Sequence, residues 1–332
     1  DNALSEPSEE LVEVLSSLDG DFMILGAGGK MGPSLARMIR RASDLCGRAR
    51  RVIGVSRYSN PETATKLRGY GIGAVVGDLL DAAFVRSLPR AENVLYLAGM
   101  KFGAANDAAQ TWVSNTYLAG LVADHFRGSR LAVLSSGNIY GLLPVDAGQG
   151  SMETDPPAPV GEYAMSVLGR ERVFEHFSQV HRIPTVIIRL NYAAELRYGV
   201  FVDLARKVYR GDPIPLHMGF FNAIWQRDAC DVIVRSLQYA SSPPLTVNVT
   251  GVDRISCRSV CERFGEILSR PVRFTGAESP TALLSDASLC ISLFGHPRTS
   301  IDEMVKSTAD WIAIGGETWN KPTQFEVRDG KY

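Results

Sequence analysis

Phe22-Met23-Ile24-Leu25-Gly26-Ala27-Gly28-Gly29-Lys30-Met31-Gly32 is the stretch whose reading decides the fold. Four apolar residues end abruptly in glycine, the pattern of a short strand buried on both faces. Beyond the glycines, Met31, Leu35, Met38 and Ile39 recur at i, i+4, i+7 and i+8, one face of a helix. Glycines at 26, 29 and 32 suit a tight turn, a close backbone approach and close packing of helix on strand. The helix N-terminus offers unpaired N–H groups and a positive dipole end to an anion. Gly26, Gly28, Gly29, Lys30, Met31 and Gly32 therefore read as a bed for the pyrophosphate of a dinucleotide.

Strand and helix signals alternate outward from this stretch. Strands are predicted at 52–55, 74–76, 94–97, 131–134 and 185–190, with helices near 81–88, 107–127 and 163–180. Such alternation demands right-handed crossovers and a parallel sheet covered on both faces. The expected class is α/β, a doubly wound parallel sheet (Rossmann fold) with a smaller α/β C-terminal lobe. Residues 1–20 read as a helical extension, and 21–191 with 224–250 as the dinucleotide-binding domain. Residues 192–223 and 251–332 are expected to form a substrate lobe at the carboxyl edge of the strands, where ligands of open α/β sheets bind. Within that lobe helices are predicted near 200–210, 257–268 and 300–314, with a strand at 272–274. A helix is predicted at 227–239, followed by a strand at 245–249 placed to rejoin the sheet.

Composition narrows the function classes. The chain has 332 residues, 45% hydrophobic and 21% charged, ordinary globular values. A net charge of −1 gives no electrostatic reason to expect nucleic acid or an anionic membrane as partner. Cysteines at 46, 230, 257, 261 and 290 complete no metal set and read as free thiols of a reducing compartment. No apolar run approaches the ~20 residues that span a bilayer, and the acidic N-terminus is unlike a signal peptide. A cytoplasmic location is the expectation.

The second strand ends in Ser56-Arg57, where NAD-binding proteins usually place a carboxylate on the adenosine ribose. A hydroxyl and a guanidinium suit a 2′-phosphate better. NADP is the expected cofactor, with NAD the alternative.

Further motifs carry a resemblance. They are Gly77-Asp78, Leu97-Ala98-Gly99-Met100-Lys101, Asn115, Leu134-Ser135-Ser136-Gly137-Asn138-Ile139-Tyr140-Gly141, and Tyr163 with Ser166. In this order, from about residue 21 to 320, the chain resembles the extended short-chain dehydrogenase/reductase superfamily, the NAD(P)-dependent epimerase/dehydratase family. The resemblance implies an enzyme whose catalytic pair is Ser136 and Tyr163, with Tyr163 as general acid/base. It places Asp78 and Leu79 near the adenine. Leu97, Ala98, Gly99, Lys101, Asn115 and Leu190 fall along the rest of the cofactor, and Lys101, Ser136, Asn138 and Asn191 beside the substrate. Asp78 could instead cap the next helix, and Asn115 only brace its own. A homodimer is the family's usual assembly.

Two departures stand out. The family pattern Tyr-x-x-x-Lys is here Tyr163-Ala-Met-Ser-Val167, with an apolar side chain one helical turn on. A tyrosine ordinarily ionises near ~10, so hydride chemistry at neutral pH needs a nearby cation. Lys101 is the candidate substitute, the alternative being a solvent-facing lysine, and activity should climb with alkaline pH. Secondly, Phe221 stands where sugar-nucleotide enzymes of the family place a diphosphate-binding arginine, and 278–288 lacks the second one. Aromatic residues such as Phe201 and Phe221 would wall a sugar-like ring instead. The leading expectation is an oxidoreductase or epimerase acting on a small non-nucleotide sugar-like substrate. A sugar-nucleotide epimerase or dehydratase with altered anchors is the first alternative, and a non-catalytic NAD(P)-binding sensor or scaffold the second.

Overall fold

The computed structural model of the chain describes residues 1–101, 103–104, 106–148 and 150–331. Its centre is a seven-stranded sheet. In chain order come β1 (Phe22–Leu25), β2 (Val52–Ser56), β3 (Gly73–Val76), β4 (Asn93–Tyr96) and β5 (Arg130–Ser136), then the strands Thr185–Leu190 and Leu245–Val249. Across the sheet the order is Leu245–Val249, Thr185–Leu190, β5, β4, β1, β2, β3. The pairs of β1 with β2 and β4, β2 with β3, and β4 with β5 are parallel.

Every residue of β1 is fully buried, as an unbroken apolar run between two covered faces should be. Burying each such side chain contributes roughly 1.5–3 kcal/mol. The first crossover is α2 (Gly32–Leu45), which buries Leu35, Met38 and Ile39, the face its periodicity marks. The helix α1 (Glu9–Ser17) is capped by the Ser8 hydroxyl and buries Leu11 and Leu15. The helices α3 (Pro61–Gly69) and α4 (Ala82–Ser87) follow β2 and β3. The expected helix at 107–127 is not uniform. It comprises α5 (Ala108–Trp112), a π-helical turn (Val113–Tyr117) and α6 (Leu118–His125). The long helix α7 (Gly161–His181) lies against this run. Trp112, Tyr117 and Met165 remain exposed on these helices.

The chain divides into two compact units. The first comprises Asp1–Ser136, Gly161–Arg189 and Cys230–Val247; the second comprises Gly137–Val160, Leu190–Ala229 and Asn248–Tyr332. Residues 137–160, 190–191, 224–229 and 248–250 thus group with the second unit, whereas the sequence reading put them in the dinucleotide domain. The second unit contains the helices Val200–Arg210, Cys257–Leu268, Ser288–Phe294 and Ile301–Ala313. Its sheet structure consists of short two-stranded ladders. The strand expected at 272–274 is only Phe274–Thr275, paired with Ile214–Pro215. Among the described residues no helix is long and apolar enough to cross a membrane. No disulfide joins any of the five cysteines, and all but Cys46 are buried.

Candidate active and cofactor-binding site

The glycine loop begins where β1 stops. Gly26 has φ +91°, a left-handed backbone that glycine adopts without penalty. Its N–H and that of Ala27 both donate to the Val55 carbonyl, at 2.9 and 3.1 Å, which tucks the loop against β2. A Cβ at Gly26 would lie 2.8 Å from the Ala98 nitrogen, and one at Gly28 2.7 Å from the Ser56 hydroxyl. A Cβ at Gly32 would collide with the Ala27 backbone. At Met31, just before α2, no side chain caps the helix, and its first turn contains no carboxylate. Pro33 has no N–H and the Leu35 N–H donates to the Met31 carbonyl at 3.0 Å, which leaves the Gly32 N–H of that turn to an anion. A glycine-rich bed ending in an uncapped helix N-terminus fits a dinucleotide pyrophosphate.

At the end of β2, Ser56 accepts a hydrogen bond from the Tyr58 N–H at 3.4 Å. Arg57 is exposed, and its side chain has no partner among the described residues. After β3, Asp78 is exposed and accepts from the Leu80 N–H at 3.0 Å. It does not cap the next helix, because Asp81 does. Leu79 is buried in the hydrophobic core of the first unit. After β4, the Leu97 N–H donates to the Leu25 carbonyl at 2.8 Å, Ala98 backs the glycine loop, and Gly99 is exposed.

The Lys101 ammonium lies 5.6 Å from the centre of the Tyr163 ring. Burial pushes that ammonium down to about 8. Tyr163 is half-buried in the first turn of α7. Its carbonyl accepts from the Ser166 hydroxyl at 2.9 Å, and that hydroxyl accepts from the Asn115 amide at 2.9 Å. Asn115 is fully buried in the π turn and holds the Met100 backbone at both ends, N–H at 2.8 Å and carbonyl at 2.9 Å. It braces the Lys101 loop against α7 rather than only its own helix. Ser136, nearly buried, closes β5.

Two features of α7 escaped the sequence reading. Arg170, 5% exposed, reaches Asn115 and the Leu134 carbonyl. It stands seven residues after Tyr163, on the same helical face, and that spacing was the available signal. Glu171 accepts from the Ser135 hydroxyl and pairs with Arg189 at 2.9 and 3.1 Å, both charges buried. This pair ties the end of β5, α7 and the Thr185–Leu190 strand together.

In the second unit, Leu190 opens the segment that carries Asn191, and Asn138 sits in a single turn of 3-10 helix, Gly137–Ile139. The Asn191 amide nitrogen and the Ser285 hydroxyl are both buried without a hydrogen-bond partner among the described residues. A Cβ at Gly137 would lie 3.1 Å from that hydroxyl and 3.2 Å from Asn191 Cβ, so the two side chains face one glycine. Ser285 was not anticipated. Phe221 and Phe201 offer no open ring face, contrary to expectation. Both are buried in an aromatic cluster with centroids 5.7 Å apart, and Phe221 also meets Tyr192 and Phe325. Burial of large rings outweighs leaving them as walls.

A parallel α/β sheet with a glycine loop at the carboxyl end of β1 defines a Rossmann-type dinucleotide-binding protein. Residues 22–249 match the NAD dependent epimerase/dehydratase family, and the chain belongs to that family of enzymes. No curated protein matches the chain. Solved structures share its fold. UDP-glucuronic acid 4-epimerase from Bacillus cereus, in complex with NAD, has TM-score 0.73 and 16% identity over 88% of this chain and 98% of that one. A dTDP-glucose 4,6-dehydratase from Bacillus anthracis, in complex with NAD, has TM-score 0.73 and 13% identity over 88% and 96%. A UDP-glucose 4-epimerase from Thermus thermophilus, also with NAD, has TM-score 0.71 and 18% identity over 87% and 98%.

Proposed function

We propose that this chain is an NAD(P)-dependent epimerase or oxidoreductase that takes NADP in preference to NAD and acts on a small sugar-like substrate without a nucleoside diphosphate. The observation that carries the enzymatic reading is the Lys101 ammonium 5.6 Å from the Tyr163 ring. Bound nicotinamide supplies the hydride acceptor or donor. Tyr163 takes the proton from the substrate hydroxyl or returns it, and Ser136 hydrogen-bonds the same oxygen. Lys101 keeps positive charge beside the phenol as its proton leaves. Gly26, Gly28, Gly29, Lys30, Met31 and Gly32 cradle the pyrophosphate, and Arg57, without a partner among the described residues, is available to a 2′-phosphate.

The substrate class rests on the second unit. Phe221, aligned with the first diphosphate-binding arginine, is packed into the core. The Asn191 amide and the Ser285 hydroxyl lack partners, which costs about 1–3 kcal/mol for each buried group left unsatisfied. A polyhydroxylated ring carries donors and acceptors that meet both. One observation favours a sugar nucleotide instead. Among the described residues Arg328 bonds to the His217 carbonyl, the Met218 sulfur and Thr281, and to no carboxylate. Thr281 lies in the stretch where the second arginine is missing, so Arg328 is a candidate altered anchor.

Turnover of NADP(H) and NAD(H) against free sugars, sugar acids and lactones, beside UDP-, dTDP- and GDP-sugars, tests the proposal. Free sugars should turn over, and Tyr163→Phe should reduce the rate by about 10²–10⁴-fold with cofactor affinity retained. Micromolar binding of a UDP-sugar that Arg328→Ala abolishes would transfer the case to the sugar-nucleotide reading. Tight cofactor binding without turnover of any substrate would favour the non-catalytic one.

A further inference from the structure

We infer that Arg170 carries to the cofactor bed the positive charge that the missing Tyr-x-x-x-Lys lysine would supply. This rests on reading the Gly26–Gly32 loop and the segment after β4 as that bed. Seven residues place Arg170 nearly two turns beyond Tyr163, about 10.5 Å along the axis. Long side chains on a helix lean back toward its N-terminus, which brings this guanidinium toward the tyrosine end of α7.

Among the described residues no carboxylate pairs with Arg170, the buried Glu171 being engaged by Ser135 and Arg189. One terminal nitrogen donates to the Leu134 carbonyl at 2.8 Å and the other to Asn115 Oδ1 at 2.6 Å, while Nε reaches the Asn115 carbonyl at 3.3 Å. The guanidinium carbon lies 5.4 Å from the Tyr96 ring centre. All these partners are neutral. Arg189, 4% exposed, has the Glu171 carboxylate, whereas Arg170, 5% exposed, has none. A buried charge without an opposite charge is costly, so its retention points to an anion outside the protein.

Only one residue separates the charge from the surface of the bed. A Cβ placed on the exposed Gly99 would collide with the Arg170 guanidinium. Gly99 therefore keeps the cation directly beneath the backbone that the cofactor would cover. Through Asn115 the same guanidinium orders the Met100 backbone and Ser166, and with them the Lys101 loop and the first turns of α7. Val167, on the face the lysine would have occupied, is fully buried and supplies nothing. The charge has moved one turn along the helix, and a longer side chain restores the reach.

Fluorescence titration with NADPH and with NADH tests this for the unaltered protein, Arg170→Gln and Arg170→Lys. Both dinucleotides share the pyrophosphate and the nicotinamide ribose, so Arg170→Gln should weaken both equally, by about tenfold or more. Arg170→Lys, which keeps charge but not the fork, should bind both within about threefold of the unaltered protein. A strut that only fills hydrogen bonds would not be rescued by lysine. Unchanged affinity in Arg170→Gln overturns the inference, and so does an Arg170→Lys variant that loses tenfold. Should Arg170→Gln not fold, the lysine variant alone decides by the same criterion. An unaltered protein that binds neither dinucleotide sinks the cofactor reading and this inference together, whereas binding that ignores Arg170 sinks this inference alone.

Discussion

The glycine loop and the helix α7 belong to the same unit but answer to different constraints. At Gly26 and Gly32 even a methyl group would strike backbone, and at Gly28 it would press on the Ser56 hydroxyl, so the first two positions are fixed to one residue type. On α7 the demand is for positive charge near Tyr163, and charge acts over several ångströms. It can be met from another turn or another loop. The steric demands of the loop are met by glycine at fixed positions, whereas on our inference the electrostatic demand is met from Arg170 and Lys101 in place of position 167. Contact constraints pin a residue to its place; field constraints pin only a region.

The sharpest test of that contrast sets the two buried arginines against each other. Glu171→Gln removes the carboxylate that pairs with the buried Arg189, and breaking a buried ion pair costs about 3–5 kcal/mol. Urea denaturation should show a loss of that size, with cofactor affinity per folded molecule little changed. A loss below ~1 kcal/mol would mean that Glu171 and Arg189 are hydrated like a surface pair, and the contrast with Arg170 would fail. Next in size is the adenosine end of the bed. Arg57→Ala should weaken NADPH by about tenfold, ~1.4 kcal/mol, and leave NADH untouched. NADH binding tenfold better than NADPH in the unaltered protein would overturn the reading of Ser56-Arg57.

Those contrasts also explain what could be read from the sequence. The strand at 185–190, the helix at 257–268 and the glycine loop were legible because periodicity and backbone sterics are local properties. The π turn at Val113–Tyr117 was not, since an i+5 register has no sequence signal that distinguishes it from a helix. Phe201 and Phe221 were legible as aromatic but not as core, because facing a cavity or a neighbour is decided by contacts such as Phe325, over a hundred residues away. Ser285 and Arg328 lie outside any motif and enter only through tertiary placement. Arg170 stood in plain spacing from Tyr163, yet a search directed at the fourth position of Tyr-x-x-x-Lys passes over the seventh.

The smallest expected effect concerns the pH dependence of cofactor binding and isolates Lys101. Burial pushes its ammonium down to about 8 from the ordinary 10.5. The folded chain therefore resists this proton more than the unfolded chain does. The resulting destabilisation is fully present below about 8 and vanishes above 10.5. Lys101→Met should accordingly cost no stability at neutral pH in the absence of cofactor. Binding has the opposite sign, because an anionic cofactor attracts the charged form. Affinity should be level through neutrality and fall by about threefold or more as pH rises past the lysine's value. In Lys101→Met it should be weaker at neutral pH and flat across the same interval. Calorimetry in buffers of different ionisation enthalpy reads the same linkage directly, as protons taken up on binding in mildly alkaline solution. A pH-independent affinity in the unaltered protein would remove Lys101 from the bed and leave Arg170 as the cation on which the altered motif depends.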